Sequence, residues 1–203
     1  MNATEKSFPD AREFVSEILQ GVSVDGQILR GRVFEDCGFI GCNLAEATFA
    51  DCKIVDCTFT RCNLSNAKLG GSRFTNVEFV ESKVVGIDWT RATWPRVAVG
   101  PPLRFRQSIL NDSTFFGLAL EDLAIEDCKA HGVDFREAKL ARASFQRTDL
   151  ANAMFGKTDL AGADFTGAAH YAIDVFDNRI ERARFTRAGA VALLDSLGIE
   201  LVD

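Results

Sequence analysis

Cys42–Leu64 reads CNLAEATFADCKIVDCTFTRCNL, and within it Leu44, Phe49, Ile54, Phe59 and Leu64 recur at every fifth position. A small residue stands two places before each: Cys42, Ala47, Cys52, Cys57 and Cys62. An amphipathic helix repeats its apolar residues at steps of three and four, and a half-buried strand at steps of two. A constant step of five matches neither. It marks a repeat architecture, whose units bury their apolar faces only by stacking on one another.

The column continues outward in both directions. Toward the N-terminus it passes through Phe39 and Phe34, and Phe14, Leu19, Val24 and Leu29 are already in phase. That continuity favours an irregular first coil over a short free helix capped by Asp10 and Glu13. Residues 1–13 read as an irregular polar segment. Toward the C-terminus the column runs through Leu69, Phe74, Phe79, Val84 and Trp89, and Trp94 and Val99 prolong it. From Phe105 the phase has moved by one residue, and a second run goes Phe105, Leu110, Phe115, Leu120, Ile125, Ala130, Phe135, Leu140, Phe145, Leu150, Phe155, Leu160, Phe165. Val97 and Val99 keep the first phase while Leu103 and Phe105 keep the second, which puts the slip in the turn-prone Gly100–Pro101–Pro102. Trp89 and Trp94 read as large core plugs beside it.

Phe and Leu alternate from Leu140 to Phe165, a secondary period of ten. Four sides per coil accommodate this, with Phe145 under Phe165, Phe135 under Phe155 and Leu140 under Leu160; three sides would mix Phe and Leu on every wall. The expected fold is an all-β solenoid, a four-sided β-helix over residues 14–185, with Phe39, Leu44, Phe49, Phe59, Phe135, Phe145, Phe155 and Phe165 in its core. Positions 24 to 185 make about eight coils of about twenty residues, and at ~4.8 Å per coil the rod is roughly 40 Å long.

The pattern weakens after Phe165. His170 takes an inward position and is expected to fill a corner, and Ile180 and Phe185 return to phase. Residues 186–203 then change period: Ala190, Leu193, Leu194 and Leu197 form the stripe of a short amphipathic helix that Thr186 starts and Gly198 ends. Ile199 and Leu201 alternate with Glu200 and Val202 in a short tail.

Composition bounds the function. With 203 residues, 47% apolar and 26% charged, the chain fits one globular domain, and no run of 18 apolar residues or leader-like N-terminus appears, so the expectation is a cytoplasmic protein. All six cysteines (Cys37, Cys42, Cys52, Cys57, Cys62, Cys128) fall in the small-residue column, so the repeat itself produces their spacing. They are expected as core filler rather than as a disulfide frame or metal site. No cofactor is expected. The net charge of −6 is unevenly spread: residues 1–60 carry 5 Lys+Arg and 10 Asp+Glu, residues 61–110 carry 8 and 3, and residues 111–203 carry 10 and 16. His131, expected exposed, and His170 have no neighbouring nucleophile pattern, and no phosphate loop, HExxH or GxSxG is present, so the chain reads as no enzyme.

The units CNLAE, CNLSN, TDLAN, TDLAG and ADFTG resemble the A(D/N)LXX units of the pentapeptide-repeat family. That resemblance covers about residues 14–185 and implies a right-handed quadrilateral β-helix. A narrower one rests on IDWTRATWP at Ile87–Pro95, LNDSTFFGL at Leu110–Leu118, and YAIDVFDNRIERARF at Tyr171–Phe185 with the LL-containing helix and IELVD after it. These segments are similar to the topoisomerase-poison resistance subgroup, which counters albicidin, microcin B17 or quinolones. The subgroup implies a homodimer through the C-terminal element, here Ala190, Leu193, Leu194, Leu197, Ile199 and Leu201. It also implies protection of DNA gyrase or topoisomerase IV by an acidic, DNA-like rod that does not itself bind nucleic acid. The alternative is a repeat scaffold for another protein partner.

Charge density tests the DNA-like reading. B-DNA carries one charge per ~1.7 Å, so a coil rising ~4.8 Å would need about three net negative charges to match it. Residues 111–203, with 16 acids against 10 bases, supply about one per coil, less than half the DNA density. By wall, Glu126, Asp127 and Asp164 fall with Arg147 and Arg184, and Glu121, Asp122 and Asp159 with Lys139, Arg142 and Arg179; no wall is purely acidic. Phe116, just after inward Phe115, points outward as a contact residue or a packing variant. With Glu121, Asp122, Glu126 and Asp127 it forms the candidate partner surface, the acids being either partner contacts or solvated charge.

Overall fold

The computed structural model describes residue 8, residues 10–94 and residues 100–199. The expectations for Val97, Val99 and Leu201, and for the tail at 200–203, lie outside these residues. Each unit is a three- or four-residue extended segment whose central side chain is buried while its neighbours face out, as in Glu13–Val15, Thr58–Thr60 and Arg73–Thr75. Side chains alternate across an extended backbone, so five residues provide one inward-facing segment and one corner. The corner residue is left-handed: Asp56, Asn76, Asp122, Asp127, Arg142 and Arg147 all have φ between 51° and 61°. Asp and Asn tolerate that region better than most residues, which accounts for their frequency there.

Successive coils pair in parallel on four walls. On the first wall Phe14 lies opposite Phe34, Phe34 opposite Ile54 and Ile54 opposite Phe74. On the second, Leu19, Phe39, Phe59, Phe79, Phe105 and Ile125 follow one another. Bridges from Ser23 through Asn43, Asn63, Lys83, Ile109, Lys129 and Asp149 to Ala169 define the third wall; Leu29 paired with Phe49, and bridges from Asp88 through Thr114 and Asp134 to Met154, define the fourth. The chain is an all-β solenoid, a right-handed quadrilateral β-helix ended by a short helix.

The Phe and Leu walls stand where the alternation puts them. Phe145 stacks on Phe165 at 4.9 Å and Phe165 on Phe185 at 5.0 Å along the second wall, and Phe115, Phe135 and Phe155 stack at 5.5 and 5.2 Å along the fourth. Phe39, Leu44, Phe49, Phe59, Phe135, Phe145 and Phe165 are buried, whereas Phe155, beside the end segment, is half-buried. Trp89 is fully buried; Trp94 is half-buried and donates its indole N–H to the Trp89 carbonyl at 3.1 Å.

The change of phase is larger than one residue. Arg73 still pairs with Thr93, twenty positions on, but Val77 pairs with Leu103 and Lys83 with Ile109, twenty-six positions on. Six extra residues therefore enter between Thr93 and Leu103. In a pattern that repeats every five residues, six are indistinguishable from one.

The small column does more than fill space. Along the third wall each side chain accepts the backbone N–H one coil back: Cys42 N donates to Cys62 Sγ (3.4 Å), Cys62 N to Ser82 Oγ (3.0 Å), Ser82 N to Ser108 Oγ (3.0 Å), Ser108 N to Cys128 Sγ (3.4 Å) and Cys128 N to Thr148 Oγ1 (3.3 Å). Most of the same groups also donate to a central carbonyl of the adjacent second wall one coil back, as Ser82 Oγ does to Phe59 O at 3.0 Å. The column is a hydrogen-bonded spine, and of the six free, buried thiols Cys42, Cys62 and Cys128 belong to it. Burial pushes Cys57 and Cys128 up to about 12, so they stay protonated. Replacing Ser82 with alanine leaves the buried Cys62 N–H unpaired, and the expected loss is about 1–3 kcal/mol. Ser82→Cys should lose less, because Cys fills the same role at position 62; equal urea midpoints for the two variants would contradict the spine.

Two features at the C-terminal end differ from expectation. His170 is a left-handed corner residue with its ring exposed, not inward. Tyr171 takes the inward place, 5.5 Å from Phe165, while the imidazole turns out to Asp149. The end segment is α-helical only over Arg187–Ala190 and continues as a 3-10 helix over Val191–Leu197. Thr186 is its N-cap, accepting from Gly189 N at 3.0 Å, and Gly198 follows it at φ 63°. Ahead of the first regular coil, Asp10 and Glu13 cap no helix; Glu13 opens a strand, and Phe8 packs edge-on against Phe14 and Phe34.

Candidate partner-binding surface

Outward side chains at equivalent positions of neighbouring coils lie side by side, so charges twenty residues apart in sequence meet. Arg142 holds Asp122 through two bonds of 2.8 and 2.9 Å, and Arg147 holds Asp127 at 2.6 and 2.8 Å. Arg179 bridges Asp159 and Glu181, and Arg184 reaches Asp164 at 3.2 Å. The Arg147 hydrogen bonds hold Asp127 below the usual carboxylate range. Glu126 accepts from Ser144 Oγ at 2.7 Å and lies 4.0 Å from Arg106. These pairs are exposed and screened by solvent, so they add little to stability. Their main effect is to neutralise the acids.

The five residues of the candidate surface do not form one face. Phe116 is on the fourth wall, Glu121 and Asp122 are on the first, and Glu126 and Asp127 are on the second, opposite Phe116. Three of the four acids already have a basic or hydroxyl partner from an adjacent coil.

The fourth wall carries the larger apolar exposure. Phe116 is 42% exposed, with the Arg136 guanidinium 5.9 Å from its ring, and Arg136 is itself fixed on Asp134 by bonds of 2.9 and 2.8 Å. Two coils beyond Phe116 the same column holds Gly156; one coil further, where Lys157 N donates to Asp177 O and the register has moved by one residue, Asp177 lies over Gly156 and its neighbour Phe176 is 77% exposed. Gly156 makes a notch of about 230 Å³ lined by Phe116, Arg136, Glu137, Lys157 and Asp177. A Cβ at position 156 would lie 3.2 Å from Asp177 Oδ2 and 3.6 Å from Arg136 Cγ. Sequence reading missed Phe176. The signal was available in Phe116, Arg136, Gly156 and Phe176 at steps of twenty, but it is visible only once the coil length is fixed.

On the third wall Asp149 lies between His170 Nδ1 (2.7 Å) and His131 Nε2 (2.9 Å). Burial pushes its carboxyl up, but hydrogen bonds from His170 and His131 bring it down to about 2. A carboxylate depressed on folding contributes stability that is complete above its unfolded value of ~3.9 and is lost as pH falls toward the folded value. Urea midpoints should therefore hold from neutrality to about pH 5 and drop below about pH 4. The Asp149→Asn variant should show a shallower acid limb; an identical limb would remove Asp149 from it. Among the described residues, no group of three or more His, Cys, Asp or Glu is arranged to hold a metal ion.

The end segment has two sides. Ala192 and Leu193 pack on the core, Ala190 and Leu194 are half-buried, and Val191, Leu197 and Ile199 are 47%, 44% and 52% exposed. No helix among the described residues is long and apolar enough to cross a membrane.

A family model described as "Pentapeptide repeat region" matches residues 33–100, and one described as "Pentapeptide repeats (8 copies)" matches residues 131–167. The chain belongs to the pentapeptide-repeat family. Among solved structures, it is similar to trypsin-treated QnrB1, a plasmid-mediated fluoroquinolone resistance protein, at 18% identity and a TM-score of 0.65, covering 95% of this chain and 100% of that one. Full-length QnrB1 aligns at 18% identity and a TM-score of 0.56, over 92% and 100% of the two chains. HetL, a pentapeptide repeat protein involved in heterocyst differentiation regulation from the cyanobacterium Nostoc sp. strain PCC 7120, aligns at 16% identity and a TM-score of 0.48, over 86% and 87%. No curated protein matches the sequence.

Proposed function

We propose that this chain is a dimeric, non-enzymatic binding protein that protects DNA gyrase, or topoisomerase IV, from a topoisomerase poison in the cytoplasm. The observation that carries this reading is the resemblance of the segments Ile87–Pro95, Leu110–Leu118 and Tyr171–Phe185 to the poison-resistance subgroup, on a fold shared along nearly the whole chain with QnrB1. Fold likeness at 18% identity supplies the architecture only; the segments supply the function. The acidic C-terminal half is consistent with an enzyme surface built to hold DNA, since such surfaces neutralise phosphates with Lys and Arg.

The test is supercoiling by purified gyrase with albicidin or a fluoroquinolone, with and without the protein. Restored supercoiling is expected at protein concentrations near that of the enzyme. No rescue at any concentration together with no binding to gyrase would overturn the reading. One observation favours a second reading, a scaffold for a different protein: arginines of adjacent coils already occupy Asp122, Asp127, Asp159 and Asp164. Equal binding to gyrase and to unrelated proteins would support that scaffold.

A further inference from the structure

We infer that the fourth wall, from Phe116 to Phe176, is the face that grips the partner, and that it takes a basic protein segment bearing one apolar side chain. This rests on the topoisomerase reading and adds to it the contact face and the chemistry of the contact. Two independent features single out this wall in the C-terminal half. The first is apolar: Phe116, Met154 and Phe176 are all exposed here, and among the described residues the other large exposed apolar side chains lie in the first coil and the end segment. Phe116 lines the Gly156 notch together with Asp177, the chain neighbour of Phe176, and the notch volume of about 230 Å³ admits one side chain.

The second feature is charge. From Thr114 onward the fourth wall carries Asp134, Glu137, Asp174 and Asp177 against Arg136 and Lys157, a surplus of two acids. The first wall over the same coils balances Glu121, Asp122, Asp159 and Glu181 against Lys139, Arg142, Arg179 and Arg182. Glu137 and Asp177 border the notch and make no ion pair among the described residues, unlike Asp122 and Asp127. A Lys or Arg beside an apolar anchor would reach them without displacing an existing partner. On the first and second walls a basic partner would have to compete with bidentate arginines. Aromatic anchors at the centre of a contact surrounded by charge dominate binding energies in protein interfaces.

Binding of the full chain to purified gyrase holoenzyme, measured by biolayer interferometry, tests the assignment. The double variant Phe116→Ala/Phe176→Ala should weaken binding about 30-fold or more, and Gly156→Leu, which fills the notch, about tenfold. Glu137→Lys/Asp177→Lys should weaken it about tenfold, while Glu126→Gln/Asp127→Asn on the opposite wall should change it less than about threefold. All are surface substitutions, and unchanged urea midpoints confirm that the variants are folded. If the wild type binds and the fourth-wall variants bind as well as it does, the inference falls and the topoisomerase reading stands. If the wild type itself does not bind gyrase, both fall.

Discussion

Trp89→Ala is expected to lower the free energy of unfolding by about 3–5 kcal/mol, a large share of the ~5–15 kcal/mol that holds an ordinary domain together. The ring is fully buried and meets Phe74, Phe79 and Phe105 edge-on at 5.5, 5.9 and 5.8 Å while stacking on Phe115 at 5.7 Å. Those four rings come from the first, second and fourth walls, so Trp89 fills the interior across the rod. Phe74 is fixed in the first-wall ladder opposite Ile54, and Phe79 and Phe105 are in register with each other on the second wall. The walls therefore have little freedom to close on the cavity, and incomplete relaxation places a large-to-small change at the costly end of its range.

The site also sits where the register steps from twenty to twenty-six residues, so it has fewer regular neighbours to compensate. Its short 3-10 turn is independently held by Asp88, which accepts from Thr90 N at 3.0 Å, so the loss should report on the ring and not on the turn. Trp89→Phe keeps an aromatic in line with Phe115 and should lose about half as much. Trp94, half-buried, should cost less still. Urea unfolding followed by far-ultraviolet circular dichroism measures all three, and a loss below about 1 kcal/mol for Trp89→Ala would show that the interior closes over the gap.

The same residues show what sequence carries in such a fold. Leu140 and Phe145 were assigned to different walls from their alternation alone, because a solenoid turns a sequence period into a stack of identical side chains. The pairing of Arg142 with Asp122 and of Arg147 with Asp127 follows from that wall assignment, since corners also recur at twenty. The six residues between Thr93 and Leu103 stayed hidden, because phase is defined only to within five. Cys62 reads as filler: small size is evident from sequence, but a hydrogen bond to the next coil requires knowing which backbone N–H lies above. His170 and Tyr171 exchanged places because inward position depends on which side chain has somewhere better to go, and Asp149, on the neighbouring coil, offers the imidazole a partner. Phe176 was passed over because it lies where the step of five has lapsed, yet it is the most exposed of the large apolar residues.

Charging the outer side of the end segment, with Val191→Glu and Leu197→Glu together, is expected to convert the proposed dimer to a monomer of 22.2 kDa and weaken association about 100-fold or more. Val191, Leu197 and Ile199 are each about half exposed, so two copies facing each other would cover these side chains on both chains. Carboxylates placed in that contact have no basic partner there, and burying an unpaired charge opposes association. These positions face away from Ala192 and Leu193, which cover the last coil, so the double variant should keep its urea midpoint apart from the concentration-dependent part that a dimer adds. A chain ending at Thr186 differs in that respect. It loses Ala192 and Leu193 as well and should be monomeric and destabilised. Light scattering and urea unfolding on both variants separate the two roles of the segment: a monomer with intact stability in the first assigns the outer side to the interface, and a dimer mass retained in both would move the interface elsewhere, with the fourth wall around Phe176 as the remaining large apolar surface near that end.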